Sequence, residues 1–148
     1  MAVEPRHGPV RTREANPAAA RLLLLLAAKP WARPAFRVVS IALNCDLGAA
    51  KYIGLRLPHP YGIVIHSGSS LGTNVTVRQH VTIGVRSDSD LRPPIVGDNV
   101  TIGAGAVVLG PITVGSGAVI GANAVVNRDV PAFAIAVGVP ARVIGYVR

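Results

Sequence analysis

Residues 95–126 read IVGDNVTIGAGAVVLGPITVGSGAVIGANAVV. An aliphatic side chain returns at every sixth position: Val96, Ile102, Val108, Val114, Ile120 and Val126. Glycine follows at once in Gly97, Gly103, Gly115 and Gly121. A period of six fits neither a helix at 3.6 residues nor a simple strand at 2. The fifth position of each unit is also small or apolar: Val100, Ala106, Ile112, Ala118, Ala124 and Val130. First and fifth positions are an even number apart, so both face the same side of an extended chain. Upstream the series runs Leu47, Ile53, His59, Ile65, Leu71, Val77 and Ile83, with one histidine among the aliphatics. It lapses over Val85–Pro94 and then resumes at Val96.

Six residues make a short strand plus a turn, and glycine frees the backbone to turn. Three such units can close a triangle, and stacked triangles form a parallel β-helix with coils about 4.8 Å apart. Ile102 should then stack on Ile120, and Val96 on Val114. A β-sandwich would not hold one phase over so many units. The predicted fold class is all-β, a parallel β-helix with a short N-terminal helical segment.

A chain of 148 residues is expected to form one domain, and its scarcity of aromatics suits a narrow aliphatic core. Its single cysteine, Cys45, excludes an intramolecular disulfide framework and points to a cytoplasmic protein. Cys45 itself reads as a small buried residue rather than an acyl carrier. The net charge of +8 calls for an anionic partner: nucleic acid, membrane or a phosphorylated cofactor. Nucleic acid is set aside, since no binding motif is visible and stacking aromatics are few.

The predicted organisation has three parts: a tail and short capping helix at 1–43, coils at 44–131 with a loop inserted at 85–94, and a capping tail at 132–148. Residues 1–20 read as a frayed tail. The run Leu22–Leu26 is too short to span a bilayer and is ended by Pro30 and Pro34. A capping helix is preferred to an interfacial membrane contact, and no membrane partner is expected. Pro131 and Pro140 mark the departure from the coils.

The repeat, LPHPYGIVI (Leu57 to Ile65), IGAGAVVLG (Ile102 to Gly110) and GVPARVIG (Gly138 to Gly145) together resemble the hexapeptide-repeat acyltransferases. The likeness is to the serine acetyltransferase branch, with its relatives from polysaccharide gene clusters, over about residues 44–145. It implies a left-handed coil, homotrimers, and acetyl-CoA as co-substrate between neighbouring prisms. No metal is implied.

His59 violates a strong local pattern, which often marks a functional site. Imidazole suits removal of a hydroxyl proton during acetyl transfer near neutral pH. The resemblance supports this, because the histidine of the family's LxHxxG segment falls on His59. The family orients that histidine with an acid fifteen positions earlier, where this chain has Asn44. Asp46, two residues away, is the other candidate. Serine-specific members carry Asp before the histidine and Arg-His-Pro in the inserted loop. Pro58 and Leu91-Arg92-Pro93 stand there, and the long helical amino-terminal domain has no counterpart. Serine is thereby put in competition with a sugar or another small alcohol. Acceptor contacts are expected from Arg92, His80 and Pro58 in and near the loop. Cofactor contacts implied by the family fall on Ala104 and Ala122, with Arg128 and Arg142 toward the phosphates. His66 and His80 raise a zinc-hydrase alternative, but the closely spaced histidine pair of that family is missing. The expected activity is O-acetyl transfer to serine or another small alcohol. The alternatives are sugar O-acetylation and a non-catalytic trimeric scaffold.

Overall fold

The computed structural model describes residues 16–48 and 53–147. Two helices come first, α1 (Ala18–Ala27) and α2 (Arg33–Ala42), joined by a single 3-10 turn at Pro30–Ala32. The strands then run β1 (Asp46–Leu47), β2 (Val64–Ile65), β3 (Ser70–Leu71), β4 (Thr76–Val77) and β5 (Thr82–Gly84). Past the interruption come β6 (Ile95–Val96), β7 (Thr101–Ile102), β8 (Val107–Leu109), β9 (Thr113–Val114), β10 (Val119–Ile120) and β11 (Val125–Val126). The chain ends in β12 (Ala134–Val137) and β13 (Arg142–Tyr146).

These strands form three sheets, visited in rotation. The first holds β1-β2-β5-β8-β11, the second β4-β7-β10-β12-β13, and the third β3-β6-β9. Ile102 pairs with Ile120 and Val96 with Val114, eighteen positions apart, as the repeat requires. Across the interruption the step lengthens: Thr76 pairs with Thr101 and Thr82 with Val107, twenty-five positions on. The inward residues of all three sheets join one apolar cluster, to which Ala20 and Leu23 of α1 also belong. Burying one such Ile or Leu stabilises the fold by about 1.5–3 kcal/mol. Stacking like on like therefore makes each coil depend on its neighbours.

Glycine at the second repeat position has a different reason from the one expected. Gly103 does not have a positive φ. A Cβ there would lie 2.5 Å from the Ala122 amide nitrogen of the next coil. Close approach of successive coils, rather than turning, demands the missing side chain. Turning is done elsewhere, by two ladders of left-handed residues. One is Asn44, Gly62, His80, Gly105 and Asn123, with φ between 49° and 70°. The other is Gly54, Asn74, Asn99, Gly117 and Phe133. Asn, His and Gly are the residues that tolerate this conformation best, and Phe133 is the exception among them.

The early coil departs from the sequence pattern. Ile53 is 63% exposed, and Leu55 and Leu57 point inward instead. Arg56 bridges Thr76, twenty positions on, so the phase slips here by two. His59 is therefore not a substituted core residue. It lies exposed in the turn between Leu57 and Ile63, and its six-residue spacing from Ile65 is coincidental.

Both ends also differ from expectation. Residues 1–15 of the predicted tail lie outside the described residues. Asn16 is pinned: its side-chain amide donates to the Leu55 carbonyl (2.8 Å) and accepts from the Leu57 N–H (2.6 Å). One side chain thus serves as a strand for a sheet edge that would otherwise be open. Pro34 opens α2 rather than ending a helix, since the first turn needs no N–H there. At the far end β12 rejoins the second sheet after a shortened coil, with Val119 opposite Ile135, and β13 covers it antiparallel.

Candidate active site

The first left-handed ladder builds the corner that carries His59. Each rung donates its N–H to the carbonyl just before the rung below. Gly62 bonds to Leu43 (3.1 Å), His80 to Tyr61 (2.9 Å), Gly105 to Gln79 (2.9 Å) and Asn123 to Ala104 (2.8 Å). A Cβ on Gly62 would collide with the His80 imidazole, so that ring lies over the glycine three residues after His59. The His59 turn is tied down by its own backbone, Tyr61 N–H to His59 C=O at 2.9 Å. Below it, the Cys45 thiol donates to the Pro60 carbonyl at 3.1 Å, and the Asp46 N–H to that of Ile63 at 2.8 Å. Asn44, His59 and His80 therefore share one corner.

Neither candidate orienter is hydrogen-bonded to the His59 imidazole among the described residues. Asn44 opens the ladder, and its side chain is exposed. Asp46 and Asn44 both line an open cleft of about 420 Å³ between α2 and β1, with Phe36, Arg37, Ser40 and Cys45. Cys45 is buried, and burial pushes its thiol up from the ordinary value. Burial and a raised thiol both suit a structural position.

Ala104 and Ala122 sit one residue before their ladder rungs, on the His59 corner. Among the described residues neither of their amide N–H groups bonds to a backbone carbonyl, which leaves two unpaired backbone donors in line beside small side chains. Gln79 occupies the same column, and its Oε1 is buried with no partner among the described residues. The spacing to Ala104 crosses the interruption, so no regular count could have found it.

Arg92 is not a free cation. Its guanidinium holds Asp90 in a two-pronged pair, Nε to Oδ1 at 2.8 Å and Nη2 to Oδ2 at 3.0 Å. This pair sets the Asp90 carboxyl below and the Arg92 guanidinium above their ordinary values. The loop is a tight turn, with the Asp90 N–H bonded to the Ser87 carbonyl. The other arginine of this loop, which is expected to bind the acceptor, is Arg86. Arg86 lies against Gly110 and donates to the Asn127 carbonyl at 2.7 Å, beside Arg128. Arg142 is exposed and bonds the Ala141 carbonyl, next to the residue that donates to Val125. Pro58 is half-buried immediately before His59. Arg128, Arg86 and Arg92 follow the strands of the first sheet, whereas His59, His80, Ala104 and Ala122 precede them. His66 Nδ1 accepts from the Gly68 N–H, and among the described residues no cluster of three His, Cys, Asp or Glu could hold a metal ion.

Known proteins share the stacked-coil fold and the repeat behind it. Residues 93–128 match the bacterial transferase hexapeptide family (six repeats). Serine acetyltransferase of Mycobacterium tuberculosis is 44% identical over 121 residues, covering 80% of this chain and 53% of the relative. Among solved structures, a serine acetyltransferase in complex with CoA aligns with TM-score 0.67 and 40% identity, covering 82% of this chain and 51% of the other. The soybean serine acetyltransferase complexed with serine gives 0.69 and 37%, covering 83% and 53%. The chain is thus a hexapeptide-repeat protein that resembles the serine acetyltransferases over most of its length. It spans about half the length of the relatives it matches. Among the described residues, no helix is long and apolar enough to cross a membrane.

Proposed function

We propose that this chain is an acetyl-CoA-dependent O-acetyltransferase with His59 as general base, acting on serine or another small alcohol. Its coils close into a left-handed parallel β-helix, and three chains assemble with the cofactor groove between them. The carrying observation is the 44% identity to a serine acetyltransferase, over a stretch long enough that it must include His59.

In this reading the acceptor hydroxyl gives its proton to the His59 imidazole as its oxygen attacks the thioester carbonyl. The C–S bond then breaks, and the imidazolium returns the proton to the departing thiolate. Open N–H groups beside Ala104 and Ala122 receive the amide-rich arm of CoA, while Arg86, Arg128 and Arg142 offer charge to its phosphates. Asp46 or Asn44 orients the imidazole once substrate fills the corner, because catalytic hydrogen bonds often tighten only in the complex.

Two observations keep a sugar or other uncharged hydroxyl beside serine as the acceptor. The guanidinium of Arg92 is already matched by Asp90, and Pro58 supplies no charge beside His59. An amino acid acceptor would need an anion for its amine and a cation for its carboxylate. Following CoA thiol release from acetyl-CoA, first with L-serine and then with nucleotide sugars, separates the acceptors. Calorimetry tests the reading itself: no CoA binding at high micromolar ligand would leave a non-catalytic scaffold.

A further inference from the structure

The two N-terminal helices bury one face and expose another, whose Arg37 and Ile41 also border the cleft at Asn44 and Asp46. Ala20 and Leu23 of α1 reach the core, and Phe36 and Val39 of α2 pack against it. On the outside, Leu25 is 62%, Trp31 77%, Val38 68% and Ile41 79% exposed. Positions 34, 38 and 41 are three and four apart, so on α2 they form one apolar stripe away from the core. Arg33 and Arg37 run along its edge.

Charge on the two helices has one sign, while Asp46 borders the cleft beside Arg37 and Ile41. Between Asn16 and Cys45 the chain carries Arg21, Lys29, Arg33 and Arg37 and no acid. The Lys29 ammonium sits 5.5 Å from the centroid of the Trp31 ring. An exposed indole with a cation over it, between helices with outward leucine, valine and isoleucine, is a headgroup-level arrangement. A second copy is a poor occupant, because a self-complementary contact would set these four cations against four more.

We propose that this outer face docks on an anionic phospholipid surface, the apolar side chains entering the headgroup boundary and the four cations pairing with lipid charge. The inner face packs on the first coils at the same time, so capping and docking are performed by opposite sides of the same helices.

Trp31 is the one tryptophan of the chain, so its emission reports directly on this face. The full chain is mixed with phosphatidylcholine vesicles, with and without phosphatidylglycerol, at low and high salt. Co-sedimentation and a blue shift of Trp31 emission are expected with the anionic vesicles alone, and weaken at high salt. Arg33→Glu with Arg37→Glu should weaken partitioning at least about tenfold. Val38→Ser with Ile41→Ser should also weaken it, with an unchanged melting temperature because both side chains are already in water. Three outcomes overturn the proposal. One is no sedimentation with anionic vesicles at millimolar lipid. Another is binding that both double variants leave intact. The last is a lipid-free blue shift that grows with protein concentration, which would assign the face to a second copy. None of these readouts depends on transferase activity.

Discussion

The coils from Ile95 to Val126 and the early coil from Ile53 to Ile65 are built from the same parts and behave differently. In the later coils, inner side chains pair with their counterparts eighteen residues on, and every first position faces the core. In the early coil the phase slips, Ile53 turns outward, and the slack is taken up by the HPYG turn that carries His59. Regularity makes a rigid column with open backbone donors at its corner. Irregularity puts a titratable side chain on that corner. An imidazole set inside a stack of Val and Ile would be heavily desolvated, and His59, the base we propose, stands where the stack is interrupted.

The contrast is most exposed to test at His59. His59→Ala is expected to lower acetyl transfer by about 10²–10⁴-fold. Its melting temperature should stay at the wild-type value, because the side chain is in solvent. Near-full activity with the true acceptor would remove the base assignment.

Next comes the phase slip. Leu57→Ala should cost about 2–5 kcal/mol by denaturant unfolding, and Ile102→Ala in the regular coils a similar amount. Ile53→Ala should stay within about 0.5 kcal/mol, the usual range of a surface change. Equal losses at Ile53 and Leu57 would restore the unbroken six-residue reading.

A smaller effect belongs to the turning ladder. Gly105→Ala places a Cβ at φ +70°, against Asn123 Oδ1. We expect a loss of about 1–3 kcal/mol, measured by the same unfolding curves. Asn99→Gly, on the other ladder, should be tolerated, since glycine takes a positive φ without strain.

The smallest effect is a pH dependence. The Thr73 backbone N–H and hydroxyl, at 2.6 and 3.0 Å, hold the Asp98 carboxyl below the usual carboxylate range. The unfolded chain therefore binds this proton at higher pH than the folded one. The stabilisation is fully present above the ordinary Asp value of about 3.9 and is lost as pH falls through the lower folded value. Melting temperatures of wild type and Asp98→Asn, followed from neutral pH into acid, should converge.

Much of this was legible in residue order. Period six, even spacing of small residues and stacking of Ile102 on Ile120 follow from strand geometry, which repeats locally and needs no knowledge of distant contacts. The role of the second-position glycines was misread, because closeness between coils is a through-space property. His59 was singled out for a sound reason with the wrong geometry: it breaks the pattern by standing outside the core, not by entering it. The expected acceptor contact at Arg92 could not show its pairing with Asp90, which depends on how the loop folds back. Asn16 capping a sheet edge, and Arg86 reaching Asn127 forty-one residues on, carry no local signal at all.

Periodicity, then, was enough for stacked coils with an aliphatic interior, since a repeated local geometry propagates without outside help. Which residues meet at the His59 corner, which cations are already matched, and which helix face stays in water depended on register slips and side-chain partners. Those arise from packing between segments far apart in the chain, where one inserted or missing residue changes the neighbour without changing the pattern.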